Sequence, residues 1–340
     1  MMASADRRVA IPVALTMPRA APTGGQLQQL AGATMGTTWS VKFIGSRVST
    51  DTLQRAIDAS LQRVLSQMSP WESQSDMSRF NRLRPGDWQT LPPEFLQVID
   101  AALRIARQSD GAYDPTMGAL VDLWGFGPSG RRASPPPPAA LMQCHGVSSW
   151  RELELDVAQH RLRRHTPAQL DLCGIAKGFA VDLLMATLRE HGIHHALIEI
   201  GGELLGRGIK PDGSPWWVEI DRPEAGFGSH TTAAPLLVAL HDLAIATSGR
   251  ERSFTSEGHS FSHTIDPRTG SPIDNSMVTA TVLHATCMEA DAYATALMVM
   301  GPDAAIDFAT KQQLAAVVTF VSDDDSLCER TTPALDAMLS

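Results

Sequence analysis

The 340-residue sequence has no basic tract, no Cys-x-x-Cys pair and no apolar run long enough to cross a membrane as a helix. Each absence excludes a class. Lysine and arginine total 28 against 37 aspartates and glutamates, for a formal net charge of −9. Binding a nucleic-acid backbone needs clustered Lys and Arg, so nucleic acid is not expected as a partner. Single Arg contacts with a small phosphate stay open. The four cysteines, Cys144, Cys173, Cys287 and Cys328, have the spacing of neither a zinc ribbon nor a thioredoxin-like site. They read as unpaired, buried thiols. P-loop, nucleophile-elbow and zinc-protease motifs are missing too. Gly125, Gly127 and Gly130 formally match a dinucleotide fingerprint, but four prolines, Pro135 to Pro138, follow instead of a helix. That match is discarded.

What remains is a globular composition, 43% hydrophobic and 19% charged. Residues 1–31 read as a degenerate export signal or a disordered lead. Arg7 and Arg8 precede a short apolar run, Val9 to Met17, which Pro12 breaks, and no lipobox-like cysteine is near. One folded domain is expected over residues 32–340, beginning near Ala33. Residues 37–43 alternate, with Trp39, Val41 and Phe43 on one face, as in a half-buried strand. Residues 51–68 repeat apolar groups at helical spacing, and Ser49, Thr50 or Asp51 can cap them. Further helices are expected at 93–108, 175–191, 288–300 and 303–311. Further strands are expected at 196–200, 216–220, 235–240 and 314–321. Residues 125–140 read as a loop. Helices and strands mix without regular βαβ alternation, which favours an α+β fold.

Four segments carry candidate chemistry. In DLCGIAKGFAVD (171–182) a turn at Gly174 leads into a helix with Lys177 in its first turn. Free N–H groups there suit an anion such as a diphosphate. Taken alone, the segment reads as a tight strand-to-helix turn with a solvated lysine. In SEGHSFSHTIDPRTG (256–270) a histidine beside Asp266 can serve as general base. The four-residue spacing of His259 and His263 does not make a zinc pair in a segment this poor in helix formers. A hairpin with solvent-facing histidines is the plain alternative. In ADAYATALMVMG (290–301) Asp291 and Thr295 share a helix face, and with backbone carbonyls they form an all-oxygen set for a hard cation. Alone, they are also an ordinary helix-start Asp and a tolerated Thr. In MSPWESQSDMSRFN (68–81) Trp71 can stack on a planar ring, or simply cover the core.

In this order, with GATMGTTWSV (32–41), DGAYDPTMGALVDLWGFGP (110–128), EIGGE (199–203), ATSG (246–249) and HTIDPRTG (263–270), these blocks resemble the FAD:protein FMN transferases, the ApbE family. The resemblance implies an α+β, T-fold-like architecture of two related subdomains with a flavin site between them. It implies Mg2+, held by Asp291 and Thr295 with backbone carbonyls at Gly174 and near Ala294. It implies FAD contacts at Met35, Trp71, Ala112, Tyr113, Asp114, Asp171, Lys177 and Ile265. His263, with Asp266 beside it, is the implied base. The implied reaction moves FMN from FAD to a Thr or Ser hydroxyl of an acceptor protein, a membrane redox subunit, and releases AMP. The rivals are an FAD diphosphatase and a non-catalytic flavin-binding or delivery protein. A periplasmic or cell-envelope setting follows on family grounds, while the weak signal leaves a cytoplasmic one open. The chain departs from the family at Cys173, at Trp71, where Tyr is usual, and at Arg250-Glu251-Arg252.

Overall fold

A computed structural model of the chain describes residues 7–14, 17, 19, 25–45, 48–220, 234–250 and 252–339. Glu251 and much of the leading segment lie outside the described residues. The centre is an eight-stranded sheet. Its spatial order is Leu27–Thr34, Thr37–Ile44, Ala196–Ile200, Glu203–Arg207, Leu243–Gly249, Met277–His284, Ala315–Val321 and Leu327–Thr331. Every neighbouring pair is antiparallel.

The order resolves into two halves in tandem. Each half lays down two strands, then helices, then two more strands, and the four strands lie side by side in chain order. The halves join where Glu203–Arg207 pairs with Leu243–Gly249. The helices between second and third strands are Thr50–Met68 and Ala176–Glu190 in one half, and Cys287–Met300 and Pro302–Lys311 in the other. They form one row over one sheet face, each packed on the next. Each half also carries one insertion. Residues 69–175 separate the first half's two helices, and residues 250–276 separate the second half's first two strands.

Two cores result, one on each face. Trp39, Val41 and Phe43 point into the core beneath the helix row, as their alternation requires. The opposite face is covered by a small sheet of Arg8–Ala10, Leu236–Leu240 and Trp216–Glu219, where Val238 and Leu240 meet Ile44, Ile245 and Leu283. Met277–His284 lies between both layers, and all but its last residue are buried.

The elements fall within a residue or two of their expected bounds, with three corrections. Folded structure begins before residue 32. Leu27–Thr34 is the full-length hairpin partner of Thr37–Ile44. Arg8–Ala10 pairs in parallel with Leu236–Leu240, its Ala10 fully buried and its Arg8 bonded to Glu329 at 2.5 and 3.0 Å. A strand's backbone needs partners, and here the small sheet supplies them. The proline loop ends early, because Pro138 is the first residue of the helix Pro138–His145, a position that needs no N–H donor. Of the four cysteines, all free, only Cys287 is buried, and Cys173 is exposed.

Candidate active site

The two hairpin turns of the first half present their residues to one cavity of about 330 Å³. Met35 and Gly36 join Leu27–Thr34 to Thr37–Ile44 with φ of 50° and 72°, the pairing of positive values that a two-residue hairpin turn needs. Gly201 and Gly202 do the same before Glu203, with φ of 59° and 101°. Met35, Gly201 and Glu203 all line the cavity.

The first insertion builds the outer wall. Ser75 Oγ donates to the Ser69 carbonyl at 2.7 Å and accepts the Ser78 N–H at 3.0 Å, which closes the loop around Pro70 and Trp71. Trp71 stands at the mouth, 58% exposed, so it does not cover the core. Ala112, Tyr113 and Asp114 follow along the wall. The Asp114 carboxylate is taken up by its own loop, accepting the N–H and hydroxyl of Thr116 at 2.8 and 2.6 Å and the Trp150 N–H at 3.0 Å. Burial nevertheless raises its pKa. Tyr113 is 4% exposed and its hydroxyl has no hydrogen-bond partner. Asp171 accepts the Cys173 N–H at 2.8 Å and so shapes the turn into the Ala176–Glu190 helix.

At the floor, charges from three elements meet. Lys177 donates to Glu203 Oε1 at 2.5 Å. The other Glu203 oxygen is buried without a partner. Burial, with the neighbouring Asp291 charge, pushes the Glu203 pKa up to about 8, against the opposing pull of Lys177. Asp291 is 3% exposed and accepts the Gly178 N–H at 3.0 Å. An anion therefore does sit at this helix start, but it is the protein's own carboxylate. Burial raises the Asp291 pKa too, and Lys177 works against that rise. One helical turn on, Thr295 Oγ1 lies 3.3 Å from Ser248 Oγ. A Cβ on Gly174 would stand 2.8 Å from Thr295 Oγ1, so only glycine lets that backbone approach so closely.

The second insertion closes the remaining side with Arg252, His263, Thr264, Ile265 and Pro267. Ser253–Ser256 and His259–Ser262 pair as a hairpin, not a helix, which removes the zinc-pair geometry as expected. His263 donates its backbone N–H to the Arg252 carbonyl at 2.9 Å, and its Nδ1 lies 3.2 Å from the same oxygen. His259 is outside the cavity lining. So is Asp266, whose carboxylate binds the N–H and guanidinium of Arg268 and holds the Asp-Pro-Arg-Thr-Gly turn. Ala294 is fully buried inside its helix and also does not line the cavity.

Met35, Trp71, Ala112, Tyr113, Asp114, Asp171, Gly174, Lys177, His263, Ile265, Asp291 and Thr295 thus share one cavity. Glu203, Ser248 and Arg252 join them without having been singled out; the first two stand inside the quoted EIGGE and ATSG blocks. Among the described residues no three His, Cys, Asp or Glu side chains gather as a metal cage. The donors present are a buried carboxylate, a hydroxyl and a glycine backbone, which fit a hard oxygen-seeking cation and not zinc.

The ApbE family model matches residues 35–318. The FAD:protein FMN transferase of Vibrio cholerae serotype O1 is 37% identical over 315 residues, covering 92% of each chain. That of Haemophilus influenzae is 34% identical over 303 residues, covering 87% of each. Among solved structures, the apo flavinyl transferase ApbE of Pseudomonas stutzeri has a TM-score of 0.84 at 33% identity, over 92% of this chain and 97% of that one. The Thermotoga maritima ApbE protein has 0.80 at 25% identity, over 93% and 100%. With a fold, a cavity and a family match that span the same residues, the chain belongs to the ApbE family.

Proposed function

We propose that this chain transfers the FMN half of FAD to a Thr or Ser hydroxyl of an acceptor protein, with Mg2+ as cofactor and AMP as the second product. One observation carries the reading. A single cavity holds a buried carboxylate, a hydroxyl and a glycine turn beside a lysine, beneath an exposed tryptophan. That is the equipment for a diphosphate joined to a planar ring system. The relatives named FAD:protein FMN transferase match nearly the whole chain and support it.

In the proposed reaction the acceptor oxygen bonds to the FMN-side phosphorus. The bond from that phosphorus to the bridging oxygen breaks, AMP leaves with that oxygen, and the hydroxyl proton passes to a base. His263 at the cavity wall is the assigned base. Asp291, Thr295 and the Gly174 backbone would hold Mg2+, which when bound neutralises charge on the diphosphate. Lys177, steadied by Glu203, adds a fixed positive charge against the same group. Trp71 offers a ring face to a planar part of FAD. On the family resemblance, the acceptor is a membrane redox subunit in the cell envelope.

The test is incubation with FAD, Mg2+ and a Thr-bearing acceptor, followed by in-gel flavin fluorescence. A fluorescent acceptor band that EDTA abolishes is the expected result. His263→Ala should keep FAD affinity and slow labelling by roughly 10²–10⁴-fold. FAD cleavage with no labelled acceptor would favour the diphosphatase, and neither product would favour a binding protein.

A further inference from the structure

The hairpin that brings Glu203 into the cavity carries a second cluster at its open end. Four residues beyond Glu203 lies Arg207, about 13 Å along the strand at roughly 3.3 Å per residue. There a separate cavity of about 220 Å³ is lined by Arg19, Arg189, Arg207, His194, His241, Asp242, Gly208 and Met17. It shares no residue with the catalytic cavity. Three arginines face one aspartate in a chain whose net charge is −9.

The groups are set by the fold. Arg189 stands in the last turn of the Ala176–Glu190 helix, and His194 in the loop that follows. Arg207 Nε is buried with no hydrogen-bond acceptor; its ion-pair partner Asp242 holds Oδ1 3.9 Å away, too far for a hydrogen bond. Arg19 Nη1 lies 3.1 Å from His194 Nε2, so the ring nitrogen accepts and His194 is neutral there. Burial, then the charges of Arg19 and Arg189, hold the His194 pKa below its usual value. A side chain on Gly208 would stand 2.4 Å from His195 Nδ1, so the turn after Arg207 packs directly on the His194–His195 loop. His241 Nδ1 lies 3.2 Å from the Gly208 carbonyl and donates to it. A pocket with a surplus of forked donors, the Nε of one of them buried and without an acceptor, is suited to a small anion with several oxygens.

We propose that this pocket, between Arg19, Arg189, Arg207 and His194, binds a phosphate-class anion, either free phosphate or the phosphoryl group of a nucleotide. The site does not depend on the transferase reading. Its test is calorimetric titration of the full chain with inorganic phosphate at fixed ionic strength, and with AMP in a second arm. Phosphate binding should weaken roughly 10-fold or more in Arg189→Gln and in Arg19→Gln, and tighten in Asp242→Asn. Lys177→Met, at the catalytic cavity, should leave it unchanged. AMP binding more tightly than phosphate through the same arginines would identify a nucleotide as the source, and equal affinity would identify free phosphate. Absence of phosphate binding in the wild type, unchanged affinity in both arginine variants, or loss in Lys177→Met would overturn the proposal.

Discussion

At the scale of single residues, Trp71 and Asp291 make opposite kinds of contribution. Trp71 is 58% exposed and holds little of the core together. Trp71→Ala should therefore leave the apo melting temperature almost unchanged. It should cost roughly 1–3 kcal/mol of FAD affinity, taking base–aromatic stacking as the guide, and Trp71→Tyr should recover most of that loss. An FAD titration beside an apo melt decides it; a lowered melting point with intact affinity would return Trp71 to the core. Asp291 is almost wholly buried, and its charge sits between Lys177 and a backbone N–H. Asp291→Ala should abolish Mg2+-dependent turnover in a protein that still folds. Thr295→Ala should weaken the Mg2+ dependence less, since a neutral hydroxyl gives less than a charge. Full turnover in Asp291→Ala, or turnover indifferent to Mg2+ in the wild type, would remove the metal from this floor. Much of this site was legible in the sequence, because its residues stand in compact blocks at turns and helix starts. Glu203 was not. Its importance lies in a contact with Lys177, 26 residues away in sequence, and in an oxygen left without a partner. Neither is visible in EIGGE. Asp266 shows the converse. It adjoins a cavity residue in sequence, but the turn directs its carboxylate to Arg268.

At the scale of elements, the contact between Ala176–Glu190 and Cys287–Met300 sets the floor. A Cβ on Gly178 would lie 2.2 Å from the Cys287 carbonyl, so glycine allows the two helices to touch backbone to backbone. Asp182 then caps the second helix from the first, accepting the Cys287 and Met288 N–H groups at 2.9 Å each. Burial pushes the Asp182 pKa up from 3.8 to about 6. The native state thus keeps this proton over a range where the unfolded chain has lost it. Its contribution to stability is full below about pH 4 and declines as the pH rises to about 6. Asp182→Asn should flatten that part of the apo stability profile. Urea unfolding at about pH 4 and pH 6.5 would show it, and an unaltered slope in the variant would contradict it. The sequence places a helix at 288–300, and the structure has it at Cys287–Met300. It shows why periodicity is incomplete evidence, since its residues are buried nearly all round. The strand Leu27–Thr34 was missed for a related reason. Its outer edge is solvent-facing, so its exposed and half-exposed residues alternate without a hydrophobic signature.

At the scale of the whole molecule, two tandem four-strand units make one sheet, and their insertions make the site. The repeat supplies a rigid floor of hairpin turns and helix starts, and the insertions supply Trp71 and His263. The α+β class followed from the lack of βαβ order, while the two related halves were expected only on the family resemblance, because insertions of unequal length fall at different points in the two halves and mask the repeat. The central claim is that this assembly joins FMN to a protein hydroxyl and does not merely cleave FAD. The most direct measurement is intact-mass analysis of an acceptor incubated with the chain, FAD and Mg2+, with AMP quantified in the same tube. The account predicts an acceptor heavier by FMN less one water, with one AMP released for each FMN attached. AMP accompanied by free FMN and an acceptor of unchanged mass would contradict it.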